Sequence, residues 1–160
     1  MKVHLLEREQ RVEYPLDEVF EFFAAARNLE RLTPPWLSFA VLTPEPIDMQ
    51  VGTLIDYRLR LRGIPLRWTS RIEEWEPGRS FIDRQLKGPY GLWHHRHTFE
   101  TDGEATIVRD AVHYGLPLGP LGELCHALLV RRDLERIFAF RHVAVLEALS
   151  ETGQAAPTSA

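Results

Sequence analysis

A run near the end of the chain that nothing interrupts sets the tightest limit on the fold. From Leu121 to Leu149 there is no proline, and no glycine beyond Gly122. Leu121, Leu124, Leu128, Leu134, Ile137, Phe138, Val145 and Leu149 recur there at helical spacing. At about 1.5 Å per residue the run predicts one helix on the order of 45 Å long. A helix with one apolar stripe has to lay that stripe on a partner surface.

The preceding residues supply strands. Val3 to Tyr14 alternates imperfectly and reads as an opening strand ended by Pro15. Asp17 and Glu18 then begin a short helix with Val19, Phe20, Phe22 and Phe23 facing inward. A second helical piece, Asn28 to Leu32, stops before Pro34 and Pro35, because proline excludes its predecessor from helical geometry. Strands follow at Phe39 to Leu42, Leu54 to Leu61, Leu66 to Trp75, Phe81 to Leu86, Leu92 to Glu100 and Ala105 to Tyr114. Turn signals separate them, the tightest being Asp102 and Gly103, so the pairing is antiparallel. The expectation is α+β: one strand, two short helices, a meander giving about seven strands in all, and a long helix that packs into the hollow of a curved sheet.

At 160 residues the chain suits one domain over 1–149, with 150–160 (SETGQAAPTSA) as a loose tail. A formal charge of -4 argues against nucleic acid as partner. Arg58, Arg60, Arg62 and Arg67 do alternate, but Asp56, Glu73, Glu74 and Glu76 accompany them, as on a solvated face. The single cysteine, Cys125, excludes an internal disulfide, suits a reducing compartment and reads as an inert packed thiol. Neither a signal peptide nor a membrane-spanning run is expected, and the location expected is cytoplasmic.

Within the last three strands, polar residues occupy the oily face. Period-two alternation puts Phe81, Asp83, Gln85, Trp93, His95, His97, Phe99, Val108, Asp110, Val112 and Tyr114 on one side. Arg84, His94, Arg96, Thr98, Glu100, Arg109 and His113 fall on the other. The apolar members mark the first set as inner, so carboxylates and imidazoles come inside, where they are costly unless paired or met by a ligand. Three roles follow: acid/base chemistry by His95, His97 and Asp110, a self-satisfied polar network, or capture of a ligand's polar end. The His-x-His spacing with a carboxylate suits a divalent metal, but no third histidine falls clearly on the inner face, so no metal is assigned. Arg141 lies on the inner helix stripe, to pair with Asp110 or Asp83, to capture an acidic ligand group, or to run its stem out to the rim. Of the four tryptophans, Trp68 and Trp93 are assigned to a cavity wall.

The series Gly88, Pro89, Tyr90, Trp93, His95, His97, Phe99, Thr106, Asp110, Tyr114, Leu116, Pro117, Ile137, Phe138 and Arg141, in this order of elements, resembles the START-like superfamily. That superfamily includes the birch-pollen-allergen (Bet v 1-like) proteins, polyketide cyclases and aromatases, and coenzyme Q-binding proteins. Within it, the chain is similar to a bacterial cyclase/dehydrase-like (SRPBCC) subgroup. The resemblance implies a helix-grip fold: a seven-stranded curved antiparallel sheet around the long C-terminal helix, two short helices after the first strand, and a deep cavity between. It implies a lining of Tyr57, Leu59, Trp68, Asp83, Gln85, Trp93, His95, His97, Asp110, Tyr114, Phe138 and Arg141. The function implied is binding and carriage of a small hydrophobic molecule such as a lipid, isoprenoid, quinone or polyketide-like aromatic, without cofactor. The alternatives are a cofactor-independent cyclase or dehydratase using Asp/His acid-base chemistry, and an interaction protein whose cavity is unused. Self-association as a weak homodimer is left open.

Overall fold

A computed structural model describes the backbone of residues 1–155 and the side chains of residues 1–151. The order of elements is β1 (His4–Val12), α1 (Leu16–Ala24), α2 (Leu29–Leu32), β2 (Ala40–Val41), β3 (Leu54–Leu61), β4 (Ile64–Glu76), β5 (Ser80–Lys87), β6 (Leu92–Asp102) and β7 (Ala105–Gly115). The C-terminal segment follows as α3 (Gly119–Cys125), a π turn (His126–Val130) and α4 (Arg131–Ala155). All seven strands form one antiparallel sheet in the order β1-β7-β6-β5-β4-β3-β2. The result is the α+β helix-grip architecture.

Alternation governs which side chains reach the interior. Along β6, Trp93, His95, His97 and Phe99 are buried while Arg96 is exposed. A bulge in β4 between Ile72 and Glu74 resets the phase, so that Ile72 and Trp75, three apart, both turn to the core. The interior divides into three apolar clusters. In the first, Val19, Phe20 and Phe23 of α1 pack with Phe81, Phe99 and Val108 from the sheet and with Ala144, Val145 and Leu149 from α4. Ala26, Val41, Ile55, Tyr57 and Ile72 form the second, and Trp93, Val112, Tyr114, Leu134 and Phe138 the third.

The C-terminal helix departs from the expected single rod. A π turn holds more residues than an α turn and so shifts the phase of every side chain around it. Leu121, Leu124 and Leu128, expected inward, are 57%, 54% and 65% exposed. Gly122 and His126 are buried there instead, while Leu134, Phe138, Val145 and Leu149 are buried as expected. Cys125, expected to be packed, is exposed. Helix α4 continues through Ala155 into the segment expected as a tail, whose residues 156–160 lie outside the described residues. No described helix is long and apolar enough to cross a membrane.

Candidate functional site

The three clusters touch only at their edges, through Trp75 and Trp68, and a cavity of about 190 Å³ lies between them. Its walls come from α1, α2, the curved sheet, the β5–β6 loop and α4. They are mostly apolar and rich in rings, among them Phe23, Phe39, Tyr57, Trp68, Tyr90 and Trp93. Trp68 and Trp93 meet edge to face at 5.3 Å, and Trp68 Nε1 donates to Ser70 Oγ, which consumes the polar atom of that wall. Charged and imidazole groups converge at one place, where Asp83, His95, His97 and Arg141 reach the cavity.

Strand register builds that polar corner. Asp83 pairs across β5–β6 with His95, and His97 pairs across β6–β7 with Asp110. Since all four side chains point inward, a square results. His95 Nε2 donates to Asp110 Oδ1 at 2.8 Å, and His97 Nε2 donates to Asp83 Oδ2 at 2.8 Å. Between the directly paired residues, His97 Nδ1 lies 3.1 Å from Asp110 Oδ1 without the alignment of a hydrogen bond, and His95 Nδ1 lies 3.8 Å from Asp83 Oδ2. The imidazoles are 3.7 Å apart, and His97 also stacks on Phe81 at 4.2 Å.

Such a square holds unequal protonation states. Burial pushes both histidines down. For His97 the carboxylates of Asp110 and Asp83 outweigh burial and raise its pKa, whereas His95, with the charge of His97 added against it, stays lowered. Burial would raise Asp83 and Asp110, but the imidazole hydrogen bonds and the nearby positive charge, Arg141 included, hold Asp83 below and Asp110 well below the ordinary carboxylate range. Two carboxylates thus favour the charged form of His97 over that of His95, and Arg141 adds positive charge beside them. Burial also pushes the Tyr57 hydroxyl far up, with Asp83 adding to the effect.

Of the residues expected to line the cavity, Tyr57, Leu59, Trp68, Asp83, Trp93, His95, His97, Phe138 and Arg141 do so. Three do not. Gln85 braces the β5–β6 loop, its Nε2 donating to the Tyr90 carbonyl at 2.8 Å and its Oε1 accepting from Tyr90 N at 3.1 Å. Asp110 sits behind the histidines and opens on a second groove with Arg8, Gln10 and His142. Tyr114 is buried beneath the wall, its hydroxyl 2.8 Å from His126 Nε2. The Asp110 partner is His95, not Arg141, whose guanidinium lies over Phe23 at 5.4 Å and Phe138 at 6.0 Å. Sequence reasoning missed Tyr90 and Phe39 as lining, since both stand in or beside loops where no period marks an inner face. Asp83, His95 and His97 offer one donor atom each within 4.8 Å of one another, a set that could hold a metal ion.

Comparison with known proteins places this architecture. The family model for polyketide cyclase / dehydrase and lipid transport matches residues 12–140. The chain belongs to that family. Among curated proteins no match is found. Among solved structures, the Zhui aromatase/cyclase from Streptomyces sp. R1128 superposes with a TM-score of 0.70 at 21% identity, over 97% of this chain and 98% of that one. A Thermus thermophilus protein, TTHA0849, gives 0.62 at 21% identity, over 91% of this chain and 99% of that one. A START superfamily protein from Mycobacterium smegmatis gives 0.65 at 11% identity, over 91% and 99%. At these identities the likeness carries the fold. In this polyketide cyclase/dehydrase-family chain, the square of two aspartates and two histidines therefore has to be read from its own geometry.

Proposed function

We propose that the protein binds and carries one small, ring-containing hydrophobic molecule whose acidic or polar end lies against Arg141 and the Asp83–His95–His97 corner. The observation that carries this reading is the contrast inside the cavity: aromatic and aliphatic walls, and one polar corner whose hydrogen bonds are made within the protein. A cavity of that make-up favours an apolar body with one anchoring group. Arg141, held between two rings rather than by a carboxylate, keeps its donors for that anchor. Polyketide-like aromatics fit these walls best among the lipid, isoprenoid, quinone and aromatic classes. An open cavity speaks against an interaction protein that leaves the space unused.

A cyclase or dehydratase is the second reading, favoured by one feature: His95 faces the cavity with its pKa lowered, the state a general base needs. Carriage is preferred because the corner turns its groups on one another: both histidines donate Nε2 to carboxylates, and His95 Nδ1 faces Asp83 at 3.8 Å. Native mass spectrometry of the protein purified without added ligand tests both. A retained aromatic acid or phenol recovered unchanged supports carriage, and conversion on incubation supports catalysis. Fluorescence titration with anilinonaphthalenesulfonate, an aromatic probe with an acidic group, adds a direct test of the anchor. Arg141→Leu should weaken its binding about tenfold, the loss of one charge-assisted contact. Equal affinity in that variant would remove Arg141 from the proposal.

A further inference from the structure

At the far side of Tyr114 from the cavity, three side chains from separate parts of the chain come together. His4 opens β1, Glu123 lies in α3, and His126 begins the π turn. The fold assembles them in two steps. Leu118 and Gly119 take left-handed backbone, with φ of 74° and 51°, and turn the chain back after β7. Gly122 then lets α3 press on the preceding loop, since a Cβ there would lie 2.1 Å from the Pro117 carbonyl oxygen. The π turn that follows brings His126 inward, and π turns of this kind concentrate at functional sites.

From this arrangement we propose that His4, Glu123 and His126 form a binding site for one divalent transition-metal ion, zinc by the chemistry of the donors. One donor atom from each residue lies within 4.8 Å of the other two. His4 Nε2 stands 3.0 Å from Glu123 Oε2 and 3.3 Å from Oε1. Two donors held at about 2.0 Å from a tetrahedral zinc are about 3.3 Å apart, so a proton now shared there lies close to where an ion binds. The imidazoles of His4 and His126 stack at 3.6 Å, so one ring has to turn for the in-plane lone pairs of both to meet a single ion. Two histidines and one carboxylate leave further positions for water, and the Tyr114 hydroxyl, 2.8 Å from His126 Nε2, supplies the supporting contact that metal-bound histidines have. Lys2 and Arg131 are close enough for their charge to reach His126, so the affinity is set by the three donors against that repulsion.

The site is independent of the ligand-binding reading and is tested with metal alone. Metal-free full-length protein is titrated with Co2+, whose visible absorption reports coordination, and then with Zn2+ in competition. The expectation is one equivalent bound, a spectrum of a four- or five-coordinate ion, and displacement by Zn2+. His4→Gln and Glu123→Gln alter partly exposed positions that folding tolerates, and each should weaken binding about 100-fold. Circular dichroism of both variants checks the fold. Absence of stoichiometric binding to the wild type overturns the proposal. So does full binding in the His4→Gln/Glu123→Gln double variant, which would place the ion on Asp83, His95 and His97.

Discussion

Asp110 is the residue on which the polar square turns: it accepts from His95 and faces His97, yet it opens away from the cavity. Asp110→Asn keeps its shape and removes its charge, so His97 loses a cause of its raised pKa and His95 is left donating to a neutral amide oxygen. We expect about 3 kcal/mol of lost stability by urea unfolding at neutral pH, the scale of removing one partner of a buried charged pair. A loss below about 1 kcal/mol would put Asp110 outside the network. The pH profile follows from the same shifts. His97, raised above its ordinary 6.5, contributes stability that is full below 6.5 and disappears as pH climbs through its folded value. His95, lowered below 6.5, resists protonation, so stability falls as pH drops under 6.5. Asp83 and Asp110, lowered from 3.8, contribute above that value and lose their contribution as pH falls through their folded pKa values. Wild-type melting temperature should therefore peak near pH 6.5, and the wild-type-minus-Asp110→Asn difference should shrink as pH rises through the folded pKa of His97. A difference that stays flat through that range would break the assignment. Period-two alternation made all four residues legible as inward. Their partners were not legible, because Asp83 against His95 and His97 against Asp110 is a matter of register, set by hairpin turns outside the four residues themselves.

Elements were read well where their signal was periodic and poorly where backbone geometry changed without a change of composition. Strand β3 falls at Leu54–Leu61 as expected, because its alternation is clean and Gly63 ends it. The C-terminal segment shows the opposite case. Leucines at 121, 124 and 128 fit an α-helical stripe, but the π turn rotates that stripe into water and brings Gly122 and His126 in. Nothing in the run from His126 to Val130 announces it, since all five residues are compatible with an ordinary α turn. Gly122 carries the testable consequence. Its missing side chain is what lets α3 approach Pro117, and the opposing atom is backbone that cannot swing aside. Gly122→Ala should cost about 2 kcal/mol in spite of alanine's better helix propensity, as overpacking does. Calorimetry showing equal or greater stability would mean that the α3 junction is not closely packed.

For the whole molecule, a cavity is a property of three clusters that touch only through shared rings at their edges, and no residue in the sequence marks an empty space. The longer strands and the final helix were legible because each has its own hydrophobic period; the sheet's curvature, which separates Phe81 and Phe99 from Ile55 and Tyr57 and from Trp93 and Phe138, belongs to the assembled sheet. The space itself can be probed by filling it. Leu59 on β3 lines the cavity, is only partly buried, and pairs across the sheet with Leu66. Leu59→Trp puts a larger apolar side chain into that space without removing a hydrogen bond or creating a void. If the cavity is where the ligand sits, anilinonaphthalenesulfonate affinity should fall about tenfold or more while the melting temperature stays the same or rises, since added apolar contact replaces empty volume. Lower stability with unchanged probe binding would show that the walls are already in contact in solution and that the probe binds elsewhere, and the carrier reading would then lose the space it requires.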